Sequence, residues 1–562
     1  MKFRIESLIQ NLTYRCLLGE ESVLIENDCL NFESTYPFFK NIKHRDLSST
    51  VLVASLSDWV AQIKIELLLA KSLERQGAEI VILTYSHFKN ALKYFKIFGF
   101  QQFIFLDDYL PRVPHKVIFE LLDKLFKKVT TFSSAVDLVE SDCHFGRYAL
   151  STMIRELKAS NLDFEDAYVR ELLKLQLENA IRNSFAAELI YEQVRPEYAL
   201  FFEKGYTPYA QVFDVMVNRG IGVIQWAHSH RRDALVLKRY MRTNRHVHPF
   251  SLSDQSWQMV QKQFWSLDLE DRFMKEIEQA YREGSWFNRK FLHEGKRIKT
   301  KEAVEKQLGL DAQKRTAVIF SHVLWDATFF FGKNLFRDYE HWLIETVRVA
   351  IRKKELNWII KLHPDYVWKA KRQGDLAKPR DLVVLRREFG DLPDHIKIVE
   401  PETDISTYSF FQIADYCLTV RGTVGIEMAC FGVPVITAGT GRYSGCGFTI
   451  DSENAQDYLT RLERIEQMDR MTIEQVTLAR KFAYFLFNHR PCPFQSFEMI
   501  QEPLEKLGNR LDHNVNVRLH SVEDFLNAED LQRFSDWALN SRQEDFLMTE
   551  QPATEVKKNS TR

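Results

Sequence analysis

The chain has 562 residues, 45% hydrophobic and 27% charged, with 76 Lys and Arg against 77 Asp and Glu. It is too long for one hydrophobic core and too evenly charged for a nucleic-acid partner or a generally polybasic, membrane-coating surface. The seven cysteines are odd in number and none stands at zinc or redox spacing. No uncharged apolar run reaches the roughly 18 residues of a membrane span, so a cytoplasmic setting is expected.

Residues 1–48 are poorly patterned and are read as an N-terminal extension. "STVLVASLSD" (49–58) then reads as a buried strand, 59–76 as a helix closed by Gly77, and "AEIVILT" (78–84) as the next strand. "FKNALKYFKIFGF" gives a helix with a glycine stop and "QQFIFLD" a third strand, and helical patterns then run to residue 195. Alternation resumes with "PEYALFFEKG" (196–205), a helix over 208–219 and "IGVIQWAHSH" (221–230), so that 49–250 forms one domain. Residues 251–310, helical, charged and aromatic, are read as a connection. A second alternation over 311–490 contains strands at 315–322, 357–364, 395–401, 415–420 and 433–437. The helix over 472–489 is expected to pack back toward the first domain. A C-terminal extension, 491–562, ends in "TEQPATEVKKNSTR", which is expected to be disordered. The expected fold class is α/β: two Rossmann-like domains facing across a cleft, with a helical linker and extensions.

"CLTVRGTVGIEMACFGVPVITAG" (417–439) is a strand, turn, helix, strand unit. A helix that starts at the carboxyl edge of a parallel sheet presents free amides and a positive dipole end, which suits an anion. Thr423 stands at that start and Glu427 one turn on. A phosphate on the turn with ribose hydroxyls on Glu427 explains both; a capped helix with a solvated Glu427 is the alternative. His363 in "IIKLHP" ends another strand, and "EPETDIS" ends a third at Glu400, with Thr403, Asp404 and Ser406 as caps. Gly439, Gly441, Gly445 and Gly447 then form a loop that lets backbone approach a ligand. In the first domain Asp58, Asp142, His144, His228 and His230 stand next to strands or helix starts, where a base for an attacking hydroxyl is usual. Asp58 as a plain helix cap is the alternative. From His228 to His248 six Lys or Arg face Asp233 alone. This run reads either as an anionic-acceptor surface, with Arg231 and Arg232 foremost, or as a solvated helix. No acidic pair has metal-ligand spacing.

Taken together, "KLHP", "DISTYSFFQIADYCLTVRGTVGIEMACFGVPVITAG" and "YSGCGFTID" resemble the bacterial capsule polysaccharide biosynthesis proteins, two-domain GT-B-type glycosyltransferases that include capsule Kdo transferases. The resemblance is best over about 315–490. It is thinner over 49–240, where it rests on element order and on "GYTPYAQVFDVMVNRGIGVIQWA". It implies a donor site in the second domain, an acceptor site in the first, and neither metal nor cofactor beyond the nucleotide-sugar substrate. His363 would bond the donor phosphate. Thr423, with the amides of Val424 and Gly425, would take phosphate oxygens, and Glu427 the ribose. Ser321, His322, Glu400 and Ser406 would lie on the same edge, while Arg421 departs from the small polar residue expected there. Asp58 or His228 would serve catalysis, and Arg231 and Arg232 the acceptor. The implied reaction moves a sugar from a nucleotide-sugar, a CMP-Kdo-like donor among the options, to a surface or capsular polysaccharide or its lipid-linked acceptor. The implied place is the cytoplasm or the inner membrane face, beside membrane-associated capsule assembly machinery. Three rivals stay open: a teichoic-acid-type polyol-phosphate transferase using a CDP-polyol, a non-hydrolysing nucleotide-sugar epimerase, and a non-catalytic capsule assembly partner.

Overall fold

Five apolar runs of the first half line up as parallel strands: β1 (Ser49–Ala54), β2 (Ala78–Thr84), β3 (Phe103–Phe105), β4 (Tyr198–Phe201) and β5 (Gly222–His228), with β6 (Ala234–Tyr240) antiparallel to β5. The computed structural model describes residues 23–42, 46, 48–159, 162–286, 293–366, 379–500 and 515–548. Across the sheet the order is β6-β5-β4-β1-β2-β3. The central strands are covered on both faces, so they read as continuous apolar runs rather than alternating ones. Helix Val60–Arg75 follows β1 and is buried along nearly its whole length. One side packs on the sheet and the other on helix Glu529–Asn540, which contributes Leu531, Phe534 and Trp537 to the same core.

The second sheet comprises β7 (Thr316–Phe320), β8 (Asn357–Lys361), β9 (Ile396–Val399), β10 (Tyr416–Thr419), β11 (Val435–Thr437) and β12 (Ile450–Asp451), all parallel, in the order β12-β11-β10-β7-β8-β9. In both sheets the first strand is central and the next two extend to one side, while the fourth and fifth extend to the other. The order therefore reverses between β1 and β4 and between β7 and β10, and a crevice opens at those points beyond the carboxyl ends. Register fixes which residues meet there. Phe320 is paired with Lys361 and Ile319 with Leu418, so Ser321, Leu362 and Thr419 arrive at one edge.

Three features differ from the sequence reading. The segment read as a connection is a wall of the second core: Trp257, Phe273, Ile277, Tyr281 and Trp286 pack with β7, β10 and helix Val424–Cys430. Helix Ile473–Tyr484 belongs to that core too, with Ala479, Phe482 and Ala483 buried in it. The return to the first domain comes one turn later, where β13 (Cys492–Pro493) pairs antiparallel with β6. Most of the extension after residue 491 is thus structural, because it covers helix Val60–Arg75 and adds a strand to the first sheet. β14 (Phe497–Met499) and β15 (Val515–Val517) pair with each other. The terminal stretch expected to be disordered lies outside the described residues.

Glu66 is buried in the middle of helix Val60–Arg75, where Gln62 donates to its Oε1 at 2.7 Å. Desolvation pushes its carboxyl from near 4.5 up to about 8. A raised carboxyl binds its proton more tightly when folded, so its contribution to stability is complete below about pH 4.5 and is lost as pH rises toward 8. Glu66→Gln should remove that loss, which amounts to about 1.4 kcal/mol per pH unit. Urea unfolding of both proteins from pH 5 to 9 checks this; parallel pH profiles would refute it.

Candidate functional site

A cavity of about 610 Å³ lies between the carboxyl edges of the two sheets. On the second-sheet side it begins with Ser321, whose Oγ accepts the His363 amide at 3.1 Å and so ties the ends of β7 and β8 together. The next residue, His322, stacks on Tyr339 with ring centroids 4.6 Å apart, and its Nε2 accepts the Val420 amide at 3.2 Å. The proton of the neutral ring is therefore on Nδ1. Burial, with His363, Arg421 and Arg442 nearby, holds this imidazole well below its usual range. His363 has the opposite tautomer, because its Nδ1 accepts the Asp365 amide at 3.2 Å, leaving the proton on Nε2. Adjacent strand ends thus carry two imidazole N–H groups of opposite kind.

Beyond β10, Thr419 Oγ1 accepts the Gly422 amide at 3.1 Å and shapes the turn into helix Val424–Cys430. Thr423 and Val424 line the cavity. Gly425 does not, and its amide donates to Gly422 O at 3.0 Å. A glycine is needed there for packing, since a Cβ would sit 2.3 Å from the Tyr443 hydroxyl.

Glu427 lines the cavity but is 2% exposed. Its Oε1 accepts hydrogen bonds from the Tyr281 hydroxyl at 3.1 Å and from Trp286 Nε1. Burial raises the carboxyl to about 7, against the lowering effect of those two donors. Neither solvated nor an ordinary helix residue, it is a desolvated carboxyl poised near neutrality, and such groups cluster at functional sites.

Two guanidinium groups complete this side. Arg421 is buried, with Nη2 on Asn334 Oδ1, while its Nε and Nη1 are buried with no hydrogen-bond partner among the described residues. Arg442, from the glycine-rich loop, has Nη2 3.2 Å from His248 Nε2 and a buried, unpartnered Nε. Among the described residues neither has a carboxylate at ion-pair distance. Lys361, the last residue of β8, also lines the cavity.

The first-sheet wall is aromatic. His228 ends β5 within 5.5–6.0 Å of the rings of Trp59, Phe202 and Trp226. His230 is buried between Trp286 and Phe487, and desolvation pushes it down to about 3, so it stays neutral. Met499 and Val515 bring apolar side chains of the C-terminal hairpin to the cavity.

Of the sequence candidates, Ser321, His322, His363, Arg421, Thr423, Glu427 and His228 meet at this cavity, whereas Asp58, Glu400, Ser406, Gly425, Arg231 and Arg232 do not line it. Asp58 Oδ1 accepts the Ala91 amide at 3.1 Å, so it steadies helix Lys89–Ile97 rather than capping the helix that follows it. Glu400 is exposed. Ser406 is buried and caps helix Thr407–Ile413, and Thr407 is the residue of that cap that reaches the cavity.

The basic stretch is neither an open cationic face nor a solvated helix; it is β6 with its turns. Arg231 donates to Phe487 O and pairs with Glu276, and Arg232 pairs with Glu498. Lys238 pairs with Glu544 and Asp545, and Arg239 donates to carbonyls of helix Glu529–Asn540. Arg242 and Arg245 bond Asn218 and the Asp142 carbonyl. The sequence reading missed Arg442, Lys361, Tyr281 and Trp286. The first two stood within motifs already singled out, "GTGRYSG" and "IIKLHP". The aromatic pair carried no local signal.

Two α/β sheets with this strand order, facing one cavity at their carboxyl edges, define a GT-B-like architecture. No protein-family model matches the chain, and no curated protein does. Similar solved structures include Thermosulfurimonas dismutans KpsC, beta Kdo 2,4 transferase, at 11% identity and TM-score 0.33, covering 59% of this chain and 87% of that one. Another is the beta Kdo 2,7 transferase of the same name and organism, at 15% and 0.32, covering 61% and 89%. A third is UDP-GlcNAc 2-epimerase from Neisseria meningitidis bound to UDP-GlcNAc, at 11% and 0.26, covering 77% and 95%. Among the described residues no helix is long and apolar enough to cross a membrane, and no group of three His, Cys, Asp or Glu could hold a metal ion.

Proposed function

We propose that the protein is a glycosyltransferase that takes a sugar from a nucleotide-sugar and passes it to a surface glycan or its lipid-linked precursor on the cytoplasmic side. One observation supports this above others: two guanidinium groups without carboxylate partners among the described residues, one of them deeply buried, at a strand-order reversal. Buried cations of this kind are costly unless an anion completes them, and a sugar-nucleotide phosphate supplies it. His363 and the N–H of His322 then stand at the adjacent strand ends as neutral donors to the departing phosphate. Ionised Glu427, with Oε1 occupied by Tyr281 and Trp286, offers Oε2 to ribose hydroxyls. On the facing wall Trp59 gives a sugar ring an apolar surface, and His228 is the nearest candidate to take the acceptor's proton. In the reaction the bond from the anomeric carbon to phosphate breaks, the acceptor oxygen bonds that carbon, and the acceptor proton passes to the base. A CMP-Kdo-like donor is within the scope of this site.

Thermal-shift measurement against CMP, UDP, GDP and CDP tests the reading, because a ligand bound only by the folded state raises its stability. Glu427→Gln should weaken binding of the selected nucleotide by about 1–3 kcal/mol. Wild-type affinity should also fall as pH drops through about 7, where Glu427 takes its proton, and the variant should not follow. No shift with any nucleotide would reject the proposal. Product formed from donor alone, as an epimer, would favour the epimerase.

A further inference from the structure

Lys361 closes β8, lines the cavity and is 3% exposed. Its ammonium has three donors, yet its hydrogen bond among the described residues is to the carbonyl of the adjacent Leu362, at 3.1 Å. Among the described residues no carboxylate lies at ion-pair distance. Packing alone would be served as well by methionine, which leaves no polar group to satisfy. The charged groups around it do not neutralise it either. Lys296, from the segment preceding β7, faces it as a second cation whose amine is spent on the Pro401 and Thr403 carbonyls, and Glu402 is the opposing acid. Arg421 and Arg442 line the same cavity, as do His322, His363 and, in helix Val424–Cys430, Glu427. Burial first, and Lys296 second, bring the Lys361 amine down to about 7.

We propose that Lys361 is an additional anion-binding residue of the donor site, which picks up a proton from solvent as the nucleotide's phosphate enters and so makes donor affinity fall in alkaline solution. This rests on the donor reading given above. The balance is simple: a neutral amine plus one proton plus a phosphate oxyanion gives an ammonium–phosphate pair, and no other bond changes. Sign follows from the same step. Below about pH 7 the cation is already present and the contribution of Lys361 to binding is complete; above it, part of the binding free energy goes to protonating the amine.

The test is calorimetric titration, at pH 6, 7 and 8.5, of the wild type, Lys361→Met and Lys361→Arg. The titrant is whichever of CMP, UDP, GDP or CDP stabilises the wild type most. Wild-type affinity should fall about tenfold from pH 7 to 8.5, relative to a variant without the titrating amine. Lys361→Met should bind more weakly at pH 6 and lose this fall. Lys361→Arg, which stays charged, should keep its affinity at pH 8.5. Titration of Glu427 and of the nucleotide itself is common to all three proteins and cancels in the ratios. Equal affinities and parallel pH profiles for wild type and Lys361→Met would overturn the assignment, as would an arginine variant that weakens with pH as the wild type does. If the methionine variant fails to fold, the arginine comparison decides. Absence of any nucleotide binding by the wild type would instead remove the donor reading and this proposal with it.

Discussion

Asp545→Ala should lower the stability of the protein by about 3–5 kcal/mol, the usual result of leaving a buried ion pair without one partner. Asp545, Lys238 and Arg490 all have fully buried side chains. Asp545 Oδ1 lies 2.7 Å from Lys238 Nζ and 3.6 Å from Arg490 Nη2, and Oδ2 accepts the Ser253 amide at 2.6 Å. Arg490 in turn donates to the carbonyls of Leu237, Phe546 and Pro249. The chain passes from the first sheet to the second through residues 249–253 and returns through 485–491, so both crossings are fastened at this carboxylate. Removing it strands two cations, of which, among the described residues, Lys238 alone keeps another acid, Glu544 at 2.6 Å. The neighbouring cations hold Asp545 far below the usual carboxylate range. A depressed carboxyl contributes its stability above the unfolded value near 3.8 and loses it as pH falls further, so the gap between the two proteins should close in acid. Denaturant unfolding at pH 7 and pH 3 measures both effects. A loss under about 1 kcal/mol at pH 7 would mean that Glu544 suffices and that the junction is not held here.

That junction also marks where the sequence stopped being readable. The two sheets were legible because their strands are short apolar runs set between helical periods, and a parallel order brings the residues after β7, β8 and β10 to one edge without further information. Ser321, His322, His363, Arg421 and Thr423 could be grouped on that basis. β6 could not, because "ALVLKRY" is buried on both faces and shows no alternation, while its charges read as solvated. Their partners are remote: Asp545 lies 307 residues beyond Lys238. Glu427 lines the cavity, but its surroundings could not be read, since the two donors that desolvate and hold it, Tyr281 and Trp286, precede it by 146 and 141 residues. Asp58 failed for a subtler reason. A carboxylate next to a helix start can serve any nearby amide, and the one it found belongs to the following helix.

Replacing Arg421 and Arg442 together by methionine should cost the protein its nucleotide affinity and leave its stability equal or higher. Each guanidinium would give a phosphate at least one charge-assisted hydrogen bond, worth about 1.5–3 kcal/mol, so the pair together should weaken binding roughly 10²- to 10⁴-fold. In the free protein the same groups oppose folding. Among the described residues Arg421 has two nitrogens buried without partners and Arg442 one, and Arg442 is brought down to about 10, chiefly by burial and in smaller part by the neighbouring Arg421 cation. Uncompensated like charges in a desolvated pocket are the kind of strain that binding sites retain and that apolar substitution relieves. Arg421→Lys should recover little, because its Nη2 bond to Asn334 uses one corner of a planar fork and leaves Nε and Nη1 directed elsewhere, an arrangement an ammonium cannot copy. Thermal midpoints of the double variant, taken with and without the nucleotide that best stabilises the wild type, read both quantities in one experiment. A variant that melts well below the wild type yet still shows the full nucleotide-induced shift would make the two arginines scaffold rather than site, and the donor reading would fall.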